Sequence, residues 1–429
     1  MKPLLWLMAL AVLFLASCSP SSGTANQTKI SPRVVDEVGQ EALPLALAYQ
    51  VGDGAWNLLT EGNDGYGFYL PPGEKRYGVA ALCPVFGGES GWGVGMILQA
   101  SSDETAAPLL TCPDYPIASV SISGQASVSA VTGARSALLA AGVSSRSRLA
   151  TDYTYQYSLP KGGERDVVLL AYSVNSIIQH PDELLAGRIF RGLDARGDVQ
   201  ADLSLDDNDG VVQRQVQAFA LPGGWSGGSF WVGLVSRGGV FTRGLLGEGD
   251  ESGGVYRGIP NAAAGDYYLV SAHTSNETNG VRYTVKTDRY LPAADAGAVE
   301  VSLPQPLPAG YSFDTSQPPY TFALSYPGED LAAYRLYLDG VNDGPRWLVL
   351  ATARWLRGRT NYTLPDFGGV PGFENLQRAF SGVRSWRVCA LIGDQGLGAL
   401  LAGPVYRGLP FSVPAALDLK QTCASSTSR

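Results

Sequence analysis

Histidine is nearly absent from this sequence: only His180 and His273 occur among 429 residues. That scarcity argues against histidine-based metal sites and acid–base centres. Cysteine is sparse too, five in all with no CxxC spacing, which disfavours redox dithiols and zinc knuckles. Charged residues make up 16% of the chain, for a net −8 without a basic cluster. Such an acidic balance argues against nucleic acid or anionic lipid head groups as the main partner.

What the chain has in quantity is 53 Gly, 27 Pro and 21 Tyr, a composition that suits turn-rich β structure. At 429 residues it is too long for one ordinary hydrophobic core, so several domains are expected.

The N-terminus carries the most specific signal. Lys2 leads into an apolar run from Leu4 to Phe14, and Leu15-Ala16-Ser17 precedes Cys18. One basic residue, a short apolar stretch and small residues before a cysteine read as a signal peptide over residues 1–17. The run is too short for a permanent membrane span. Leu15-Ala16-Ser17-Cys18 resembles the lipobox of bacterial lipoproteins. That resemblance implies a diacylglycerol thioether on Cys18, cleavage before it and acylation of the new amine. Two or three chains on one residue anchor firmly where a single chain holds only marginally. Ser19 after the cysteine, by analogy with lipoprotein sorting, permits passage to an outer membrane where one exists. The expected location is therefore the bacterial cell envelope, lipid-anchored, facing the periplasm or the cell surface. Residues 18–31 are mostly small and polar and read as a flexible tether.

With Cys18 assigned to lipid, four cysteines remain, an even number in a disulfide-permissive compartment. Three pairings are open. Because the cysteines cluster two by two, Cys83 with Cys112 and Cys389 with Cys423 are favoured.

Short alternating runs between Gly, Pro, Asn and Asp clusters then fill the chain. They indicate an all-β protein of tandem β-sandwich domains. The expected blocks are 32–114, 117–204, 211–301 and 310–418, with a polar tail over 419–429. Strand candidates include Ala46–Val51 and Tyr77–Cys83 in the first block, Tyr153–Pro160 and Asp166–Tyr172 in the second, and Ser229–Val235 and Tyr267–Ala272 in the third. Ser136–Ala141 reads as one or two helical turns. The opening of the second block, Ala118 to Val128, looks like the first strands of transthyretin-like or carboxypeptidase-regulatory sandwiches. In the last block, Tyr320–Tyr326, Tyr334–Asp339, Trp347–Ala351, Asn361–Pro365 and Trp386–Leu391 resemble the strand order of fibronectin type III modules. That resemblance implies that the Tyr334–Asp339 strand packs against the Trp386–Leu391 strand. Trp386 standing where a tyrosine is commoner, and a long insert from Asp366 to Val383, depart from the pattern.

Chemistry-bearing motifs are few. Gly224-Trp225-Ser226-Gly227-Gly228 satisfies Gly-x-Ser-x-Gly, but a nucleophile elbow needs a helix next, and Phe230-Trp231-Val232 reads as a strand. A loop is the simpler reading. Asp206-Asp207-Asn208-Asp209-Gly210 fails the EF-hand pattern, since Leu205 and Val216 fall where carboxylates must stand. Both a non-EF calcium loop and a solvated acidic turn stay open there. His180, ahead of Pro181-Asp182-Glu183, reads as a surface turn. Trp56, Trp92, Trp225 and Trp231 could line a binding face, and Trp225, set among glycines, is the best candidate for a ligand-binding loop.

The sequence thus points to a lipid-anchored envelope protein with a non-catalytic structural, adhesive or ligand-presenting role, and calls for no cofactor or metal. Its expected partners are the membrane, through the anchor, and envelope proteins or glycans. The alternatives are a carbohydrate- or protein-binding accessory module and, third, a hydrolase.

Overall fold

The structure, a computed structural model, describes residues 27–426 apart from 85–92, 114, 143, 177–179, 296, 310, 312, 314–318, 341–345, 375–382, 404, 407–408 and 411–415. The protein is all-β, and among the described residues only short helices lie between the strands. The expected signal peptide, Cys18 and Trp92 lie outside the described residues.

One sheet of fourteen strands dominates the architecture. From one edge it runs through Val212–Val216, Gly254–Gly258, Gly247–Asp250, Ser229–Val235, Tyr267–Thr278 and Val281–Pro292. Leu417–Ser426, Val383–Ile392, Leu331–Gly340 and Arg346–Thr352 follow, and Gly93–Ser101, Arg76–Pro84, Ala46–Val51 and Asn57–Leu58 complete it. Its strands are antiparallel except where Arg346–Thr352 runs parallel to Gly93–Ser101, with Val349 opposite Ile97. The block boundaries expected from sequence therefore do not bound the hydrogen bonding: three of the four blocks supply strands to this one sheet. Pairing across blocks covers strand edges that separate sandwiches would leave open.

The second block does form two sheets. Asp152–Pro160, Ser119–Ala130 and Val199–Gln200 make one, with Leu203–Asp206 also paired to Ser119–Ala130. Ser144–Arg148, Ser136–Ala141, Glu164–Tyr172 and Leu184–Asp194 make the other. Ile122, Val128, Tyr155 and Leu159 of the first sheet meet Leu139, Val167, Leu169 and Ala171 of the second in one core. The second sheet turns its other face to the fourteen-stranded sheet, packing Leu138, Ala140, Val168 and Leu170 against Val232, Leu234, Tyr256 and Val270. A strand buried on both faces shows no polar alternation. For that reason Ser136–Ala141 is a strand and not the helical turn its composition suggested. At Gly124 (φ 157°) an added Cβ would overlap the Ala201 carbonyl, so glycine lets the returning segment pass close by.

The far end of the large sheet is covered on both faces. On one, Phe322, Tyr362, Phe367 and Phe373 pack over Leu336, Trp347 and Val388. On the other, Ile30, Val34, Phe68 and Leu110 lie over Tyr77, Val79 and Leu98, together with Leu397, Leu400 and Leu401 of the helix Asp394–Ala402. The long hairpin between Tyr267–Thr278 and Val281–Pro292 closes through Asn279 (φ 54°) and Gly280 (φ 73°). Both are left-handed, as a two-residue turn matching strand twist requires.

The polar tail expected over 419–429 is corrected by the strand Leu417–Ser426, which lies between Val281–Pro292 and Val383–Ile392. Leu417 and Leu419 are buried to either side of the half-buried Asp418, and Thr422, Cys423 and Ala424 are all buried. Both expected disulfides are present, Cys83 with Cys112 and Cys389 with Cys423. The second joins directly opposed residues of neighbouring strands, with Cα atoms 4.0 Å apart.

Candidate functional site

The Gly-x-Ser-x-Gly segment is a loop running into the strand Ser229–Val235. Ser226 is exposed there, and its backbone carbonyl accepts from the Thr274 hydroxyl at 3.2 Å. Trp225 is half-buried and packs against the core that contains Leu336 and Phe322, so only part of its indole is free to meet a ligand. Trp56 packs on Phe367 at a centroid separation of 4.8 Å, against that same core. Trp231 belongs to a different cluster, edge-on to Phe241 and beneath the Arg243 guanidinium at 5.3 Å. These three tryptophans are therefore divided between separate cores.

The histidine that the motif would need pairs with a different serine. Ser229 and His273 are directly opposed on neighbouring strands, and His273 Nε2 lies 3.4 Å from Ser229 Oγ. The row continues across the next strand, where Lys286 stands opposite His273. Two residues on, the fully buried Asp288 faces Ser271. Lys286 Nζ lies 2.8 Å from the Asp288 carboxylate. Burial holds the His273 imidazole below its usual pKa and the Lys286 charge adds to that, while Asp288 opposes it. The ring is accordingly neutral at pH 7. A neutral imidazole beside a hydroxyl is half of a nucleophile–base arrangement. The other half, a group that orients the ring through Nδ1, is lacking among the described residues: Nδ1 is buried without a hydrogen-bond partner.

The acidic run is wired into the fold. Asp206 caps a short 3-10 turn over Asp207–Asp209 and accepts from the Asn208 N–H at 2.7 Å. Asp207 accepts from the Thr132 N–H at 2.7 Å and the Thr132 hydroxyl at 2.8 Å, bonds that hold its carboxyl below the usual range. Asp209 is buried, accepts from the Asp206 N–H and faces Arg188 at 3.7 Å. Among the described residues no three of His, Cys, Asp and Glu gather to hold a metal ion. His180 is exposed at the start of a 3-10 turn, 3.3 Å from Glu248.

Sequence reasoning missed a buried polar lock between the second and third blocks. Arg191 donates to both oxygens of Asp266, at 2.7 and 3.2 Å, reaches Asp166 at 3.5 Å and donates to the Asn261 carbonyl at 2.8 Å. Asp266 and Asp166 are themselves buried. Asn261 completes the lock by exchanging hydrogen bonds with the backbone of Ile189, at 2.8 and 3.0 Å. Nothing in the spacing of these residues announces it.

An open depression of about 380 Å³ lies on the outer sheet of the second block, lined by Ser119, Val120, Ser121, Gln156, Tyr157 and Ser158. Its side-chain lining is dominated by hydroxyl and amide groups with no charged residue. No helix of the described residues is long and apolar enough to cross a membrane. Disulfides such as these two persist in oxidising, extracytoplasmic compartments. No family model matches the chain, and no curated protein matches it. Among solved structures, a chain described as "Structure of the Streptococcal ancillary pilin" aligns over 64% of this chain and 98% of its own, at 7% identity and a TM-score of 0.14. At that score the likeness carries no argument about fold or function.

Proposed function

We propose that this chain is a lipid-anchored protein of the bacterial cell envelope with a non-catalytic structural, adhesive or ligand-presenting role. The observation that carries the reading is Leu15-Ala16-Ser17-Cys18 at the end of a short apolar leader, followed by a disulfide-bonded all-β body. A tether would keep that body close to the bilayer, leaving loops and sheet edges to meet partners. The last block is read as fibronectin type III-like, supported by the antiparallel pairing of Leu331–Gly340 with Val383–Ile392. Growing the source bacterium with an alkyne-tagged fatty acid tests the anchor. The wild-type chain takes up label and sediments with membranes, whereas Cys18→Ala takes up none and appears in the soluble fraction. Equal labelling of the two would refute the anchor.

The contact between Ser229 and His273 favours a second reading, a hydrolase using Ser229 as nucleophile. With His273 Nδ1 unpartnered, the expected result is that a fluorophosphonate probe leaves the folded protein unlabelled. Labelling lost on Ser229→Ala but kept in Ser226→Ala would establish the hydrolase instead.

A further inference from the structure

The outer sheet of the second block ends on a strand with one side open. Asp152–Pro160 pairs with Ser119–Ala130, and no described strand pairs with its other side. It is nine residues long and its register is unbroken by any bulge. Natural edges of this length are commonly blunted by lysine, an internal proline or a bulge. Here the stretch from Tyr153 to Leu159 holds no charge, and the only proline is the terminal Pro160.

Ladder phase shows which backbone groups face outward. The Val128 N–H donates to the Thr151 carbonyl, and the Lys161 N–H donates to the Ala118 carbonyl. Hydrogen-bonded pairs alternate along an antiparallel ladder, so the odd-numbered residues turn their backbone groups toward Ser119–Ala130. The N–H and C=O of Thr154, Gln156 and Ser158 therefore point to the open side, and these three residues are exposed. An unpaired row of this kind is a template for another strand.

The sequence of the strand says which one. Asp152-Tyr153-Thr154-Tyr155-Gln156-Tyr157-Ser158-Leu159-Pro160 is nearly a palindrome about Gln156. Placed antiparallel against itself with Gln156 on a two-fold axis, it sets hydroxyl beside hydroxyl at Thr154 and Ser158, and ring beside ring at Tyr155 and Tyr157. Tyr153 then falls beside Leu159, and Asp152 beside Pro160 instead of beside another carboxylate. Tyr155 and Tyr157 are buried in the sandwich core, so they are not presented as platforms for a sugar ring or an acyl chain. We propose that Asp152–Pro160 is a self-association edge, through which two copies of this chain join their outer sheets into one continuous antiparallel sheet about Gln156.

Sedimentation velocity of the full chain in non-ionic detergent, over a range of concentrations, tests it. The wild type passes from monomer to dimer as concentration rises. Gln156→Lys sets two ammonium groups face to face on the axis and weakens the dimer at least about tenfold. Gln156→Pro removes an N–H that serves no bond among the described residues, so the fold persists by circular dichroism while the dimer is lost. Gln125→Lys, the same charge change on the neighbouring strand's solvent face, leaves association unchanged. Independently, Gln156→Cys gives a covalent dimer under mild oxidation, because the axis brings the two thiols together. A chain that stays monomeric throughout, a dimer indifferent to both Gln156 substitutions, or the absence of that cross-link would each overturn the proposal.

Discussion

Arg191→Ala lowers the free energy of unfolding by about 3–5 kcal/mol, the typical cost of removing one partner from a buried ion pair. Its side chain contacts both Asp166 and Asp266, which lie inside the joint between the second and third blocks. Without it, the two buried carboxylates keep, among the described residues, only backbone donors, from Gly238 to the first and from Arg237 and Ala263 to the second. Arg191→Lys falls between, since an ammonium keeps the charge but cannot span the two carboxylates and the Asn261 carbonyl in one plane. Urea unfolding reads both results through the transition midpoint. A loss under about 1 kcal/mol would place this pair among exposed salt bridges in its energetic weight.

Replacing both Cys389 and Cys423 with alanine costs about 3–4 kcal/mol in the chain-entropy account of disulfide stabilisation. The crosslink closes a loop with a sequence separation of 34, which spans the helix Asp394–Ala402 and leads back to the strand beside its start. Loosening it frees the unfolded chain and also leaves two small side chains where a buried bridge filled space. Calorimetry should show the midpoint lowered by roughly 4–5 °C. The Cys83 and Cys112 double substitution acts on a separation of 29 and should cost a similar amount. An unchanged midpoint for the first pair would mean that its strands are held in register by the ladder alone.

Much of the strand pattern was legible because one-sided burial writes itself as alternation. Tyr153–Pro160 lies within the strand Asp152–Pro160, where Tyr155, Tyr157 and Leu159 are buried between the exposed Thr154, Gln156 and Ser158. The disulfides followed from parity and clustering. Ser136–Ala141 was misread because burial on both faces erases the period that tells strand from helix. Leu417–Ser426 was misread because a run with Lys420, Gln421 and Thr422 looks solvated until its neighbours are known. The contribution of three blocks to one sheet was illegible in principle: register between distant strands is set by what each finds across the gap, and no local window holds that. The Arg191 lock was hidden for the same reason, its members being brought together from segments far apart in sequence. At the candidate site, the local motif drew attention to Ser226, while the contact to His273 belongs to Ser229, three positions on. Cross-strand register made that pair, and a regular expression cannot see register.

The place of Leu417–Ser426 has a bearing on how the protein is made. It is the last described strand to leave the ribosome, yet it fills an interior slot, touching Val281–Pro292 on one side and Val383–Ile392 on the other. Until it arrives, the two halves of the great sheet face each other across an empty lane, each with a bare backbone border. A chain made from its amino end leaves that lane open until Leu417–Ser426 has been synthesised, and that strand then acts as the keystone of the sheet.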